Sequence, residues 1–462
     1  MRRIMRLRWA ICGCSIALLA GFSSSTSGQS VDPSGKLASP PLYATASQAS
    51  SDKIQQLIDE ANEGDTIVIA PGEYVGKIEV NKRITLRGDP GAKLIHDDAS
   101  PAVRITAEGV RLSGLTIEQR SLEESAAVEL AASRVTLDHL DVITHTFGIR
   151  LRESDHNQIL DNKITWLTDA DTKKVKTSIK RNGIDLFDSH YNDIRANQIS
   201  SMSDGIYMES SHHNTVSDNK IEHSRYGIHC MYTEGTIVRS NIGTYNVTGA
   251  MIMGVMDAVV ENNSFTKQSE NVNSQGLLLF DVHSSRISGN NVEGNRVGFY
   301  IEESSDNSIR DNRITRNFVG VQLLESKENE LTGNDFIANV INAEAISSTN
   351  NRLSGNFWDT FDGIDTDGDG HSNIAYAINP FFQQMTSRTP PFQLFFQSPG
   401  MLFLEELMET GKSTWTTDKA PLMKPSGTVA DSHRVNYNSV IASLLMLAIS
   451  LLTIYNAGVK RT

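Results

Sequence analysis

The chain has 462 residues, with 55 Asp and Glu against 42 Lys and Arg, and a net charge of −13 at pH 7. That balance argues against nucleic acid as a partner. Two of the three cysteines, Cys12 and Cys14, fall in the leading segment, so a processed protein would keep Cys230 alone and could form no internal disulfide.

Arg2, Arg3, Arg6 and Arg8 precede an uncharged run over 9–31 whose most apolar part ends near Phe22. The pattern predicts an export signal over 1–28, either cleaved among the small residues of 23–28 or retained as an anchor. Residues 51–62 carry Ile54, Leu57, Ile58 and Ala61 at helical spacing. An amphipathic helix is expected there, covering the first end of the domain that follows.

Strand-like alternation begins at Ile67, Val68, Ile69, Ile84 and Leu86, and becomes a strict repeat further on. Asparagine recurs at Asn162, Asn197, Asn219, Asn241, Asn263, Asn290, Asn312, Asn334 and Asn356, nearly always 22 residues apart. Each lies 14 residues after a shared turn position, occupied by Gly148, Gly183, Gly205, Gly227, Gly249, Gly276, Gly298, Gly320 and finally Asn342. Offsets 1 and 3 from that position are apolar, as is offset 11, and offset 16 is mostly Ile, Val, Phe or Trp. Short alternating runs separated by Gly, Asn, Ser and Asp predict three brief strands per turn.

The expected fold is all-β, a right-handed parallel β-helix over 51–358 with about twelve rungs. At ~4.8 Å per rung the rod would be roughly 55–60 Å long. The repeat glycine is expected to serve a positive-φ turn. The asparagines at offset 14, and those at offset 9 such as Asn157, Asn192 and Asn214, are expected at bends, bonding backbone and stacking rung on rung.

With offsets 1 and 3 inward, offsets 2 and 4 should face out. That surface carries Arg150 and Arg152, Asp185 and Phe187, Tyr207 and Glu209, His229 and Met231, Met251 and Met253, Leu278 and Phe280, then Tyr300 and Glu302. Thioethers and an imidazole on adjacent rungs suit Cu(I), a soft ion that accepts few ligands, which makes His229, Met231, Met251 and Met253 candidate metal ligands. A surface for a protein partner is an alternative, because methionine adapts to irregular contacts. Asp185 and Glu209 keep a third reading open, a polysaccharide lyase or glycoside hydrolase with an acid and base pair. Cys230, at offset 3, is expected as buried bulk and not as a ligand. Longer turns over 165–182, rich in lysine, and around 267–273 would border the same face.

After the last rung, Asp365, Asp367 and Asp369 alternate before Gly370 and resemble a calcium loop. Position twelve of that loop is Tyr376, so the bidentate glutamate of an EF-hand is missing. An apolar stretch with Phe381, Phe382, Phe392, Phe395, Phe396 and Phe403 follows, within a capping or docking region expected over 359–425. A linker over 426–438 leads to 439–455, uncharged and followed by Lys460 and Arg461, which could span a bilayer with its C-terminus in the cytoplasm.

At Arg225-Tyr226-Gly227-Ile228-His229-Cys230-Met231-Tyr232 the chain resembles the NosD family, periplasmic β-helical maturation factors for the copper sites of nitrous oxide reductase. Gly355-Asn356-Phe357-Trp358, the loop over 365–370, Ser398-Pro399 and the segment from Asp418 to Pro425 carry the same resemblance, which spans about 51–425. Asn373 stands where an acidic residue would be expected after the loop, and the apolar tail lies outside the usual pattern. The resemblance implies a non-enzymatic periplasmic protein beside an ABC-type permease and ATPase. Copper would be delivered to nitrous oxide reductase or received from a copper chaperone.

Overall fold

The computed structural model describes residues 42–44, 50–168, 180–268, 274–395, 398–407, 415–426 and Met446. The expected export signal lies outside these residues, as does the apolar tail apart from Met446. Most of the two longer turns lies outside them as well. Among the described residues no helix is long and apolar enough to cross a membrane.

Each repeat supplies three short strands, and successive turns stack them into three sheets of 16, 12 and 13 strands. The 13-stranded sheet counts about 13 turns, one more than the repeat predicts. All stacking between turns is parallel and in register, as in the column Ile184, Ile206, Ile228, Ala250, Leu277. Every side chain of that column is fully buried. Burying one Ile or Leu contributes about 1.5–3 kcal/mol. A slip by one residue would turn a whole column to solvent, so the register is fixed by the sum over turns.

The repeat glycines are needed for a reason other than the expected one. None of the eight has positive φ. A Cβ on Gly183 would instead stand 2.6 Å from the carbonyl oxygen of Gly205 on the next turn and 2.6 Å from Ile199 Cγ2. Close approach of stacked backbones therefore demands glycine here. The left-handed conformation recurs at other offsets, among them offset 13, on Asp161, Ala196, Asp218, Ser240, Asn262, Gly289, Asp311, Gly333 and Gly355, with φ between 53° and 68°. Each of these immediately precedes a ladder asparagine and turns the chain so that the amide points inward.

The asparagines then bond from turn to turn. Asn241 Oδ1 accepts from both the backbone N–H and the side-chain amide of Asn219, at 3.0 Å each, while its own amide donates to Val216 O and to Asn263 Oδ1. The pattern runs from Asn162 to Asn356. Its last member donates to a carboxylate: Asp418 Oδ2 accepts from the Asn356 N–H at 3.1 Å, from its amide at 2.9 Å and from Trp358 Nε1 at 3.1 Å. A shorter ladder of the same kind, not anticipated above, links Asn246, Gln268, Asn295, Asn317 and Asn339 at the third corner.

At the first end, helix α1 (Asp52–Glu60) buries Ile54 and Ile58 against the opening turns. After the last turn come helix α2 (Phe381–Arg388) and helix α3 (Pro399–Leu407), with Phe395, Phe403, Leu404 and Leu407 exposed.

Two substitutions separate these constraints. Gly183→Ala should destabilise by about 1–3 kcal/mol through overpacking. Asn241→Ala should cost more, roughly 3 kcal/mol or above, because two buried donors on Asn219 lose their acceptor and Val216 O loses the side-chain amide bonded to it. Urea denaturation of the two variants, followed by far-ultraviolet circular dichroism, checks the order.

Candidate metal centre

Strand pairing sets His229 beside Met251 and Met231 beside Met253, on neighbouring turns of the 12-stranded sheet. Glu209 lies beside Met231 on the other side, and Phe280 beside Met253. The three methionines are half-buried and lie outside the hydrophobic core. Cys230, between His229 and Met231, points the other way and is 1% exposed. Burial pushes its thiol up to about 12, so it is no thiolate at neutral pH.

His229 departs from the expectation that offset 2 faces solvent, being only 6% exposed. The edges of Tyr207 and Tyr226 meet it, with ring centroids 5.0 and 4.9 Å away. Its Nδ1 lies 3.0 Å from Oδ2 of Asp204, a fully buried carboxylate. Arg225 grips the same carboxylate with two bonds, Nε to Oδ1 and Nη2 to Oδ2, both 2.9 Å, and also lies over the Tyr226 ring. Burial alone would push the Asp204 carboxyl up, but the bonds from His229 and Arg225 together hold it below the usual carboxylate range. Asp204 is therefore an anion that can only accept, and His229 must donate from Nδ1. In the neutral ring Nε2 is then a lone pair, and among the described residues it is buried without a hydrogen-bond partner.

Such an orphaned imidazole nitrogen, on a strand whose register sets it one turn from Met251 and two residues from Met231, fits a soft cation. The neighbouring oxygens are occupied. Tyr207 donates to Glu209 Oε2 at 2.8 Å, with its hydroxyl 4.0 Å from Met231 Sδ. Asp185 is buried, bonded to Arg152 at 2.7 Å and to Asn182 at 2.6 Å. Asp185 is thus committed to an ion pair, and Glu209 accepts from Tyr207 at one of its two oxygens.

The sequence pattern singled out His229 and the methionines but gave no role to Asp204, Arg225 or Tyr226, the residues that hold the ring. A signal existed. Asp204 is an acid directly before a repeat glycine, where the other turns carry Asn182, Tyr226, Thr248, Gln275 or an apolar residue.

Asp365, Asp367 and Asp369 form a separate group beyond the last turn, with one oxygen from each within 4.8 Å of the others. Asp365 accepts from the N–H of Gly368 at 2.7 Å and of Gly370 at 3.0 Å, and the Gly370 and Gly368 bonds lower its pKa. The loop is thus folded around its own first carboxylate.

At the corner just past the methionines, imidazoles replace the usual polar acceptors. His190 N donates to Asp155 Oδ1, His212 N to His190 Nδ1 at 3.0 Å, and Glu234 N to His212 Nδ1 at 3.1 Å, with the His190 and His212 rings stacked 5.1 Å apart. Protonation at Nδ1 would set a donor against a donor.

Residues 166–363 match the family described as periplasmic copper-binding protein (NosD), and residues 44–252 match that described as rhamnogalacturonase A/epimerase, pectate lyase-like. No curated protein matches the chain. Among solved structures, the catalytic domain of a GH87 alpha-1,3-glucanase in complex with nigerose is similar, with a TM-score of 0.56 at 13% identity over 70% of this chain and 71% of that one. An alginate lyase from a Paenibacillus species has a TM-score of 0.41 at 17% identity, over 67% of this chain and 98% of its own. The glucanase likeness is one of fold alone.

Two outcomes check the local chemistry. Desolvation, then the neighbouring His190, lowers the His212 pKa below its ordinary 6.5, so the unfolded chain takes up the proton more readily. Stability should be complete above about pH 6.5 and fall as pH drops through that value. The urea midpoint should decline between pH 7.5 and 5.5, and decline less in His212→Asn. Cys230 should resist iodoacetamide at pH 8 in the folded protein and react fully in denaturant, as read by mass spectrometry.

Residues 166–363, a stretch that holds His229, its carboxylate and all three thioethers, thus match the NosD family model, and 44–252 match the pectate lyase-like one.

Proposed function

We propose that this is a periplasmic accessory protein without catalytic activity that receives Cu(I) on the face of His229, Met231, Met251 and Met253. The observation carrying the reading is the buried Nε2 of His229, unpartnered among the described residues, on a strand in register with Met251 and Met253 and inside the stretch that matches a family described as copper-binding. Copper is cargo here. A neutral imidazole and thioethers favour the cuprous ion over hard divalent ions, and a strand face open to partners allows transfer by ligand exchange.

The recipient we infer is nitrous oxide reductase during assembly of its copper sites, with a copper chaperone as donor. An ABC-type permease and ATPase would be the membrane partner. Exposed Phe395, Phe403, Leu404 and Leu407 support docking of the C-terminal region on such a partner. The uncharged segment 439–455 supports an anchor in the inner membrane. The loop of Asp365, Asp367 and Asp369 would take calcium in a structural capacity, more weakly than a complete EF-hand because no bidentate glutamate closes it.

Replacing Met231, Met251 and Met253 together by Leu keeps bulk and removes sulfur. Competition with a chromophoric Cu(I) chelator should show at least a tenfold weaker affinity, and reductase matured alongside this variant should contain less copper by elemental analysis. Unchanged affinity and unchanged copper content would refute the role.

A further inference from the structure

The buried ion pair beside the candidate centre has a cost that needs explaining. Asp204 is fully buried, and removing a carboxylate from water is unfavourable until its partners offset it. Two hydrogen-bonded residues of similar volume could close the sheet face with less. Only the arrangement present delivers an anionic oxygen to His229 Nδ1.

We infer that Asp204, locked by Arg225, is a positioning residue that holds His229 as its Nδ1–H tautomer and so presents Nε2 to a soft monovalent cation. This rests on the copper reading and adds to it the groups that prepare the ligand. Asp204 Oδ2 accepts from both Arg225 and His229, while Arg225 occupies Oδ1, so the carboxylate cannot swing away from the ring. Asp204 N also accepts anchorage on the preceding turn, donating to Asn182 Oδ1 at 3.2 Å. Tyr207 and Tyr226 prevent the ring from flipping, edge-on from two sides. In the opposite tautomer, Nδ1 would face a carboxylate lone pair and Nε2–H would be a buried donor with nothing to bond. A carboxylate behind a ligating imidazole also raises its basicity, and loss of such partners typically weakens metal affinity about 10–100-fold.

The experiment uses the full mature chain, with nitrogen-15 NMR of the imidazole and anaerobic Cu(I) competition. Wild type should give the Nδ1–H signature at His229. Asp204→Asn should shift it toward Nε2–H and weaken Cu(I) binding about 10–100-fold per folded molecule, with the circular dichroism spectrum retained. Asp204→Ala should do the same if it folds; the Asn variant, close to isosteric, carries the test if it does not. A purely structural ion pair would lower thermal stability and leave tautomer and affinity alone. The inference is overturned if wild type already carries the proton on Nε2, or if Asp204→Asn binds Cu(I) as wild type does. His229→Ala separates the two claims. If that variant loses Cu(I) affinity while Asp204→Asn keeps it, only the positioning role fails. If His229→Ala also binds normally, the copper reading fails at this residue.

Discussion

Backbone contact between successive turns at one shared position governs this molecule. The column of glycines lets carbonyl oxygens of one turn lie against α-carbons of the turn before, closer than any β-carbon would permit. Once that spacing is set, parallel pairing follows for every strand, and each side chain acquires neighbours fixed one repeat away. The apolar columns then supply cohesion and the buried amides supply alignment.

This division of labour explains why the metal candidate is a strand face and not a loop. A loop must be organised by its own contacts, whereas residues at offsets 2 and 4 inherit their spacing from the core behind them. His229, Met231, Met251 and Met253 are brought together by the same pairing that aligns Ile228 with Ala250. Specific chemistry enters only through departures from the repeat, namely an acid directly before one glycine and an arginine two places before the next.

Most of the architecture could be read in advance because it is periodic. Three short strands per repeat, the inward positions and the asparagine ladder all follow from spacing alone. Handling of the glycines was less legible, since a positive-φ turn and a close backbone approach make the same demand on composition. The cradle of His229 was invisible for a different reason. Asp204, Arg225 and Tyr226 sit outside the alternating offsets, and their convergence depends on strands from two turns meeting at one point. Asp185 and Glu209 illustrate the converse: a list of carboxylates on a face cannot tell which are already neutralised by Arg152 or capped by Tyr207.

The asparagine ladder has a direction. Every side-chain oxygen accepts from the turn before it, so the final turn is left with donors and no following asparagine to receive them. Asp418, 62 residues beyond Asn356, fills that vacancy with a carboxylate that serves three donors at once. Because a chain is made from its N-terminus, the stack can wind up turn by turn while its tail is still being synthesised, yet it stays unsealed until that distant segment arrives. Completion of the rod is thereby coupled to the emergence of a segment made well after its last turn.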